Sequence, residues 1–73
     1  MGKIRPLSGR EVRAILDRNG FAEVRRRGSH VVMQKVVRDF TITVIVPDHK
    51  IIRAGTLASI IRQSQLPRQE FEA

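Results

Sequence analysis

The densest chemistry in the chain lies in one run, Arg25-Arg26-Arg27-Gly28-Ser29-His30. Glycine allows a tight turn and lets a phosphate approach the backbone closely. The Ser29 hydroxyl can donate a hydrogen bond. His30 carries the side chain whose ordinary pKa, about 6.5, lets it take and give protons near neutrality. Three arginines before it would grip phosphate oxygens. Cleavage of RNA by its own 2′-OH needs these parts: a base for that proton, cations on the phosphate and no metal. The same pattern also suits a structural histidine at the start of a strand. Alternation along a strand puts Arg25 and Arg27 on one face and Arg26 on the other.

Asp48-His49-Lys50 is the second candidate. His49 could orient His30, act as a second acid, cap the following helix, or stand as an exposed loop residue. The candidate RNA-contacting set is therefore Arg25, Arg26, Arg27, Gly28, Ser29, His49 and Lys50, with His30 as the catalytic candidate. Other chemistries lack their parts. The chain has no cysteine and two histidines, with no H-x-x-x-H spacing and no G-x-x-x-x-G-K-[ST] phosphate loop. Neither a metal nor a cofactor is expected. Base-stacking platforms need exposed aromatics, and Phe21, Phe40 and Phe71, the only aromatics, read as core or closing residues. Recognition of the phosphate backbone and of shape is what remains, as in double-stranded-RNA domains.

The charge balance points the same way. Fourteen Lys and Arg against seven Asp and Glu leave a net charge of +7 on 73 residues, and arginine outnumbers lysine eleven to three. Such a field favours polyanions, of which nucleic acid is the commonest in a cytoplasm. The length predicts one domain over residues 1–73, without room for a cleft between domains. Without cysteine a disulfide scaffold is excluded, and no apolar run approaches the roughly 20 residues of a membrane span. Met1-Gly2-Lys3-Ile4-Arg5-Pro6 lacks the apolar stretch of a signal peptide. A soluble cytoplasmic protein is the expectation.

The elements that must position these residues can be read in order. Ser8-Gly9-Arg10-Glu11 is a capping box, with Leu7 and Val12 as a hydrophobic staple. Val12, Ile15 and Leu16 recur at helical spacing and Asn19-Gly20 provides a left-handed stop, predicting a helix over 8–19. Phe21 to Arg27, Ser29 to Val37 and Phe40 to Val46 read as three antiparallel strands. Phe40, Ile42, Val44 and Val46 share one face of the third, opposite Thr41 and Thr43, and Pro47 ends it. Ala54, Leu57, Ile60 and Ile61 return to the helical period over about 54–64, where Thr56 could cap a shorter version. Leu66-Pro67 stops that helix, and one more turn follows. The expected architecture is α+β, α-β-β-β-α in two layers, with both helices on one face of a three-stranded sheet. The other face is left open.

In order and spacing these residues resemble the HicA (YcfA-like) family of mRNA-interferase toxins. The resemblance rests on the capped helix ending Asn19-Gly20-Phe21, on Arg27-Gly28-Ser29-His30, and on Val46-Pro47-Asp48-His49-Lys50 with Arg53, Gly55-Thr56-Leu57, Ile60-Ile61 and Leu66. It spans about residues 7–71. The family implies a fold like the double-stranded-RNA-binding domain, cleavage of mRNA, catalysis by the histidine of Gly-Ser-His (here His30), and neutralisation by a HicB-like antitoxin. Where a glycine usually ends the second helix stands Gln65, predicting a frayed or differently capped end. Three readings follow: a metal-independent endoribonuclease toxin, a non-catalytic RNA-binding module on the same basic surface, and a protein-interaction domain with an acidic partner. For the toxin, an acidic inhibitor covering Arg25–Arg27 or His30 is the economical arrangement.

Overall fold

The first helix forms because its apolar stripe is capped where the pattern begins and ends. A computed structural model describes residues 5–72, so the reading of Met1–Ile4 lies outside the described residues. Helix α1 runs Gly9–Arg18 with Ser8 as its N-cap. The Glu11 N–H donates to the Ser8 hydroxyl at 3.0 Å and the Ser8 N–H to the Glu11 carboxylate at 2.9 Å. This is the reciprocal box foreseen from the sequence, and Leu7 and Val12 are both buried beside it. Gly20, at φ 92°, turns the chain out of α1.

Strands β1 (Ala22–Arg27), β2 (His30–Val37) and β3 (Phe40–Pro47) form an antiparallel sheet in the order β1-β2-β3. Helix α2 spans Ala54–Ser64, and a 3-10 turn, Arg68–Phe71, follows Pro67. The α+β order α-β-β-β-α is as expected. Both helices lie on one sheet face: Val12 and Leu16 of α1 and Leu57 and Ile60 of α2 share a buried cluster with Val31, Met33, Ile42, Val44 and Val46. No helix among the described residues is long and apolar enough to cross a membrane.

Three details depart from the sequence reading. Phe40 is half exposed rather than part of the core. It pairs with Val37 beside the Arg38-Asp39 turn, at the end of the sheet opposite the Gly28-Ser29 turn. Thr56 caps nothing. Arg53 holds the N-cap position of α2 without any side-chain hydrogen bond, and its carbonyl accepts from the Leu57 N–H at 2.9 Å. Pro47 closes β3 from inside, as its last paired residue opposite His30.

Among the described residues two non-glycine residues occupy the left-handed region, Arg38 at φ 53° and Gln65 at φ 60°. Gln65 therefore makes the turn a glycine usually makes, its N–H donating to the Arg62 carbonyl. The buried Ser64 hydroxyl supports that end by donating to the Ile61 carbonyl at 2.7 Å and accepting from the Leu66 N–H at 3.2 Å. A side chain in this conformation is strained by its Cβ, by about 1 kcal/mol. Gln65→Gly is accordingly expected to stabilise the protein by up to about 1 kcal/mol, read as a higher urea midpoint at unchanged slope. A lower midpoint would show that the Gln65 side chain contributes more than its backbone costs.

Candidate nucleic-acid interface

The basic run lies across the β1–β2 hairpin, and its local geometry follows from two backbone irregularities. Gly28-Ser29 is a two-residue connection with Gly28 at φ 59°. A positive φ at the first position belongs to the primed turns whose twist matches a hairpin. A Cβ at Gly28 would meet nothing within 4 Å, so glycine is there for its conformation and not for lack of space. The second irregularity is a bulge. Glu23 pairs with Met33 and Arg25 with Val32, leaving Val24 as the extra residue. Residues two apart normally share a face, but the bulge places Glu23 with the helices and Arg25 on the open face.

Beyond the bulge Arg25 pairs with Val32, Arg26 with Val31 and Arg27 with His30. Directly opposed residues share a face. Arg25, Arg27 and His30 thus stand together on the open face with Val32, Gln34, Thr43 and Ile45. Arg25, Arg27, His30 and Ser29 are all exposed. Among the described residues no strand position on this face holds a carboxylate. Ile45 is half exposed there, beside the expected Thr41 and Thr43.

Arg26 takes the other side, and there it is engaged. Its guanidinium donates to the Asp48 carboxylate at 2.9 Å, and Arg13 of α1 donates to the second Asp48 oxygen at 3.1 Å. Arg13 also reaches Glu23 at 3.6 Å. The Arg26 hydrogen bond, followed by the charges of both arginines, holds the Asp48 carboxyl below its ordinary pKa despite some opposing desolvation. The Asp48 N–H donates to the Ser29 carbonyl at 2.6 Å. The hairpin turn and the loop after β3, 19 residues apart in sequence (48 − 29), are thereby joined. His30, opposite Pro47 at the end of the β2–β3 ladder, lies at this junction.

His49 and Lys50 are exposed in the joined loop. His49 contributes through its backbone: its carbonyl accepts from the Gly9 N–H at 2.8 Å, and the Ile52 N–H donates to the Leu7 carbonyl at 2.8 Å. Among the described residues neither the His30 nor the His49 imidazole has a hydrogen-bonding partner, and no group of three or more His, Asp or Glu could hold a metal ion. Sequence reasoning missed Gly9 and Arg13. A Cβ on Gly9 would collide with the Pro47 carbonyl oxygen and stand 2.9 Å from the Asp48 Cα. A glycine in a first helical turn where alanine is worth about 1 kcal/mol more was the available signal. Arg13 gave none, since its partners come from two distant segments.

One comparison decides the family. The family model described as the HicA toxin of bacterial toxin–antitoxin systems matches residues 9–66, most of the chain. The chain belongs to the HicA toxin family. It is thus a toxin component whose family implies a cognate antitoxin as partner. No curated protein matches the chain. For this HicA toxin the matched span contains the whole hairpin, the Asp48 junction and α2.

The junction should respond to acid with a definite sign. Asp48 has a lowered carboxyl pKa in the folded protein. Its contribution is complete above the ordinary carboxylate range and is lost as pH falls through the lowered folded value. Asp48→Asn is expected to destabilise the protein at pH 6 and to flatten the loss of stability between pH 5 and pH 2, read from thermal melts. Parallel pH profiles for the two proteins would remove Asp48 from its role as the junction.

Proposed function

We propose that this toxin is a metal-independent endoribonuclease of mRNA, with His30 as its proton-transfer group. The observation that carries the reading is the cross-strand pair Arg27–His30 on a carboxylate-free, exposed sheet face. Membership of the HicA family supports it.

In the proposed reaction the His30 imidazole takes the proton of a ribose 2′-OH. The 2′-oxygen attacks the adjacent phosphorus, and the bond from phosphorus to the 5′-oxygen breaks. The leaving 5′-oxygen takes a proton from water or from a second acid, for which His49, in the loop joined to the hairpin turn, is the candidate. A 2′,3′-cyclic phosphate and a 5′-hydroxyl result, so atoms and protons balance. Arg25 and Arg27 stabilise the charge that builds on the phosphoryl oxygens. Gly28 and Ser29 give that phosphate a turn with open space above Gly28 and a hydroxyl donor. Among the described residues the exposed His30 side chain has no hydrogen bond to orient it, which favours, as the second reading, an RNA-binding module without catalysis.

Incubating the purified protein with RNA in EDTA separates the two. Cleavage to cyclic-phosphate ends is expected for the native protein and a loss of at least a hundredfold for His30→Ala. Because His30 is exposed, that variant is expected to keep its circular dichroism spectrum and to lose no more than about 1 kcal/mol of stability. Binding without cleavage by the native protein would establish the second reading. An unfolded variant would make His30 structural.

The arginines should divide according to their faces. Arg25→Ala and Arg27→Ala are each expected to weaken RNA binding without altering sequence preference. The salt slope should fall by roughly 0.7–0.9 for each phosphate that is no longer neutralised. Arg26→Ala should act mainly by loosening the Asp48 junction, lowering stability more than the RNA salt slope. A larger salt-slope change for Arg26 than for Arg25 and Arg27 would invert this assignment.

A further inference from the structure

On the helical layer, away from His30, lies a groove of about 680 Å³ that the RNA chemistry leaves unused. Its floor and walls are aliphatic: Pro6, Ile51, Ile52, Leu57, Ala58 and Ile61. Ile52 and Leu57 are buried beneath it, while Ile51 is 65% exposed at its lip. Four arginines complete the lining, Arg5, Arg53, Arg62 and Arg68, and no carboxylate is among the lining residues.

The arginines are not equally occupied. Arg5 is paired with Glu11 at 3.0 Å and Arg68 with Glu72 at 3.6 Å. Arg62 meets only the Ser59 hydroxyl, at 3.4 Å, and Arg53 has no side-chain hydrogen bond or ion pair among the described residues. Two guanidinium groups with no carboxylate partner therefore flank an aliphatic trough wide enough for several side chains. The bound group must supply apolar bulk and negative charge together.

That requirement discriminates between polyanions. A nucleic-acid backbone offers charge without aliphatic bulk, and the groove has no aromatic side chain on which a base could stack. A second copy of this chain would bring another net charge of +7 to the same rim. A protein segment with two or three large aliphatic or aromatic residues, bordered by Asp or Glu, meets both demands. Apolar side chains would fill the trough and carboxylates would take the forks of Arg53 and Arg62 bidentately.

We infer that this groove between α2 and the Arg5-Pro6 segment is a docking site for an acidic, apolar-faced segment of the cognate antitoxin. The antitoxin is thereby anchored on the helical layer, whatever else of it reaches the sheet face. The inference rests on the antitoxin partner that the family implies and not on catalysis by His30. Antitoxin titration and RNA cleavage can accordingly fail independently.

The test uses the whole chain with His30→Ala, which removes the proposed toxicity, and its cognate antitoxin as the probe. Ile51→Asp, and separately the pair Arg53→Glu and Arg62→Glu, are expected to lower antitoxin affinity at least tenfold. RNA affinity should be unchanged in Ile51→Asp, a largely exposed position at which the fold is expected to survive. Ala58→Glu, also exposed, replaces it if circular dichroism shows otherwise. Native antitoxin affinity in both the apolar and the charge variants overturns the proposal. An equal loss of RNA affinity in Ile51→Asp also overturns it, by making the groove part of the RNA surface. Vesicles of anionic phospholipid are the second probe. Native protein that binds them, with binding lost in Ile51→Asp and antitoxin affinity retained, would assign the groove to a lipid surface instead.

Discussion

The Asp48 carboxylate, shared between Arg13 and Arg26, is the contact on which the arrangement of the site depends. Its backbone N–H holds the Ser29 carbonyl, so one residue ties β1, the β1–β2 turn, the end of β3 and α1. Ion pairs as exposed as these add modestly to stability, because water competes for both partners. Their effect is positional. Remove the carboxylate and the backbone bond from Asp48 to Ser29 remains, but Arg26 of β1 and Arg13 of α1 lose their common anchor. Gly9 makes the same junction from the other side, since only a residue without Cβ lets the first turn of α1 close on Pro47 and Asp48.

This junction also sorts charge between the two faces of the sheet. Glu23 and Asp48, on the helical side, are neutralised by Arg13 and Arg26. What is left on the open face is Arg25 and Arg27 beside His30, with no acid to satisfy them there. The bulge at Val24 makes the sorting possible. In an unbulged strand continuing the Glu23–Met33 register, Arg26 would oppose His30 and Arg25 would turn toward the helices. Two of three consecutive arginines are thus left on the open face by one extra residue in β1.

Much of this was legible in the residues. The capping box, the staple and the aliphatic spacing of α1 act locally, within one turn or two, and local signals survive in a linear reading. The same holds for β3, whose alternation matches its buried and exposed faces except at Phe40. What could not be read depends on pairings between distant segments. Arg25-Arg26-Arg27 announces a basic strand, yet nothing in those letters says that the register slips at Val24 or that Arg26 alone meets Asp48. Gln65 illustrates the opposite case. Its sequence suggests a poor helix end, but Leu66 and Ser64 impose the left-handed turn because the chain must reverse to bury Phe71. Packing overrode the local preference there, at a strain the fold can carry.

A protein with this much positive charge has a discrimination problem that charge alone cannot solve. RNA and an acidic protein are both drawn to it, and long-range steering treats them alike. Apolar area separates them. The sheet face presents arginines at one end, with Ile45 half exposed and Val36 exposed singly along it. The helical face presents the reverse, an aliphatic trough with guanidinium groups only at its border. Burying apolar surface is worth about 25 cal/mol per Å² and is nearly indifferent to salt, whereas phosphate contacts weaken steeply as ionic strength rises. On the proposed reading, a partner that uses the trough keeps its hold at salt concentrations where RNA is released. On that reading the two-layer fold gives each class of anion its own side.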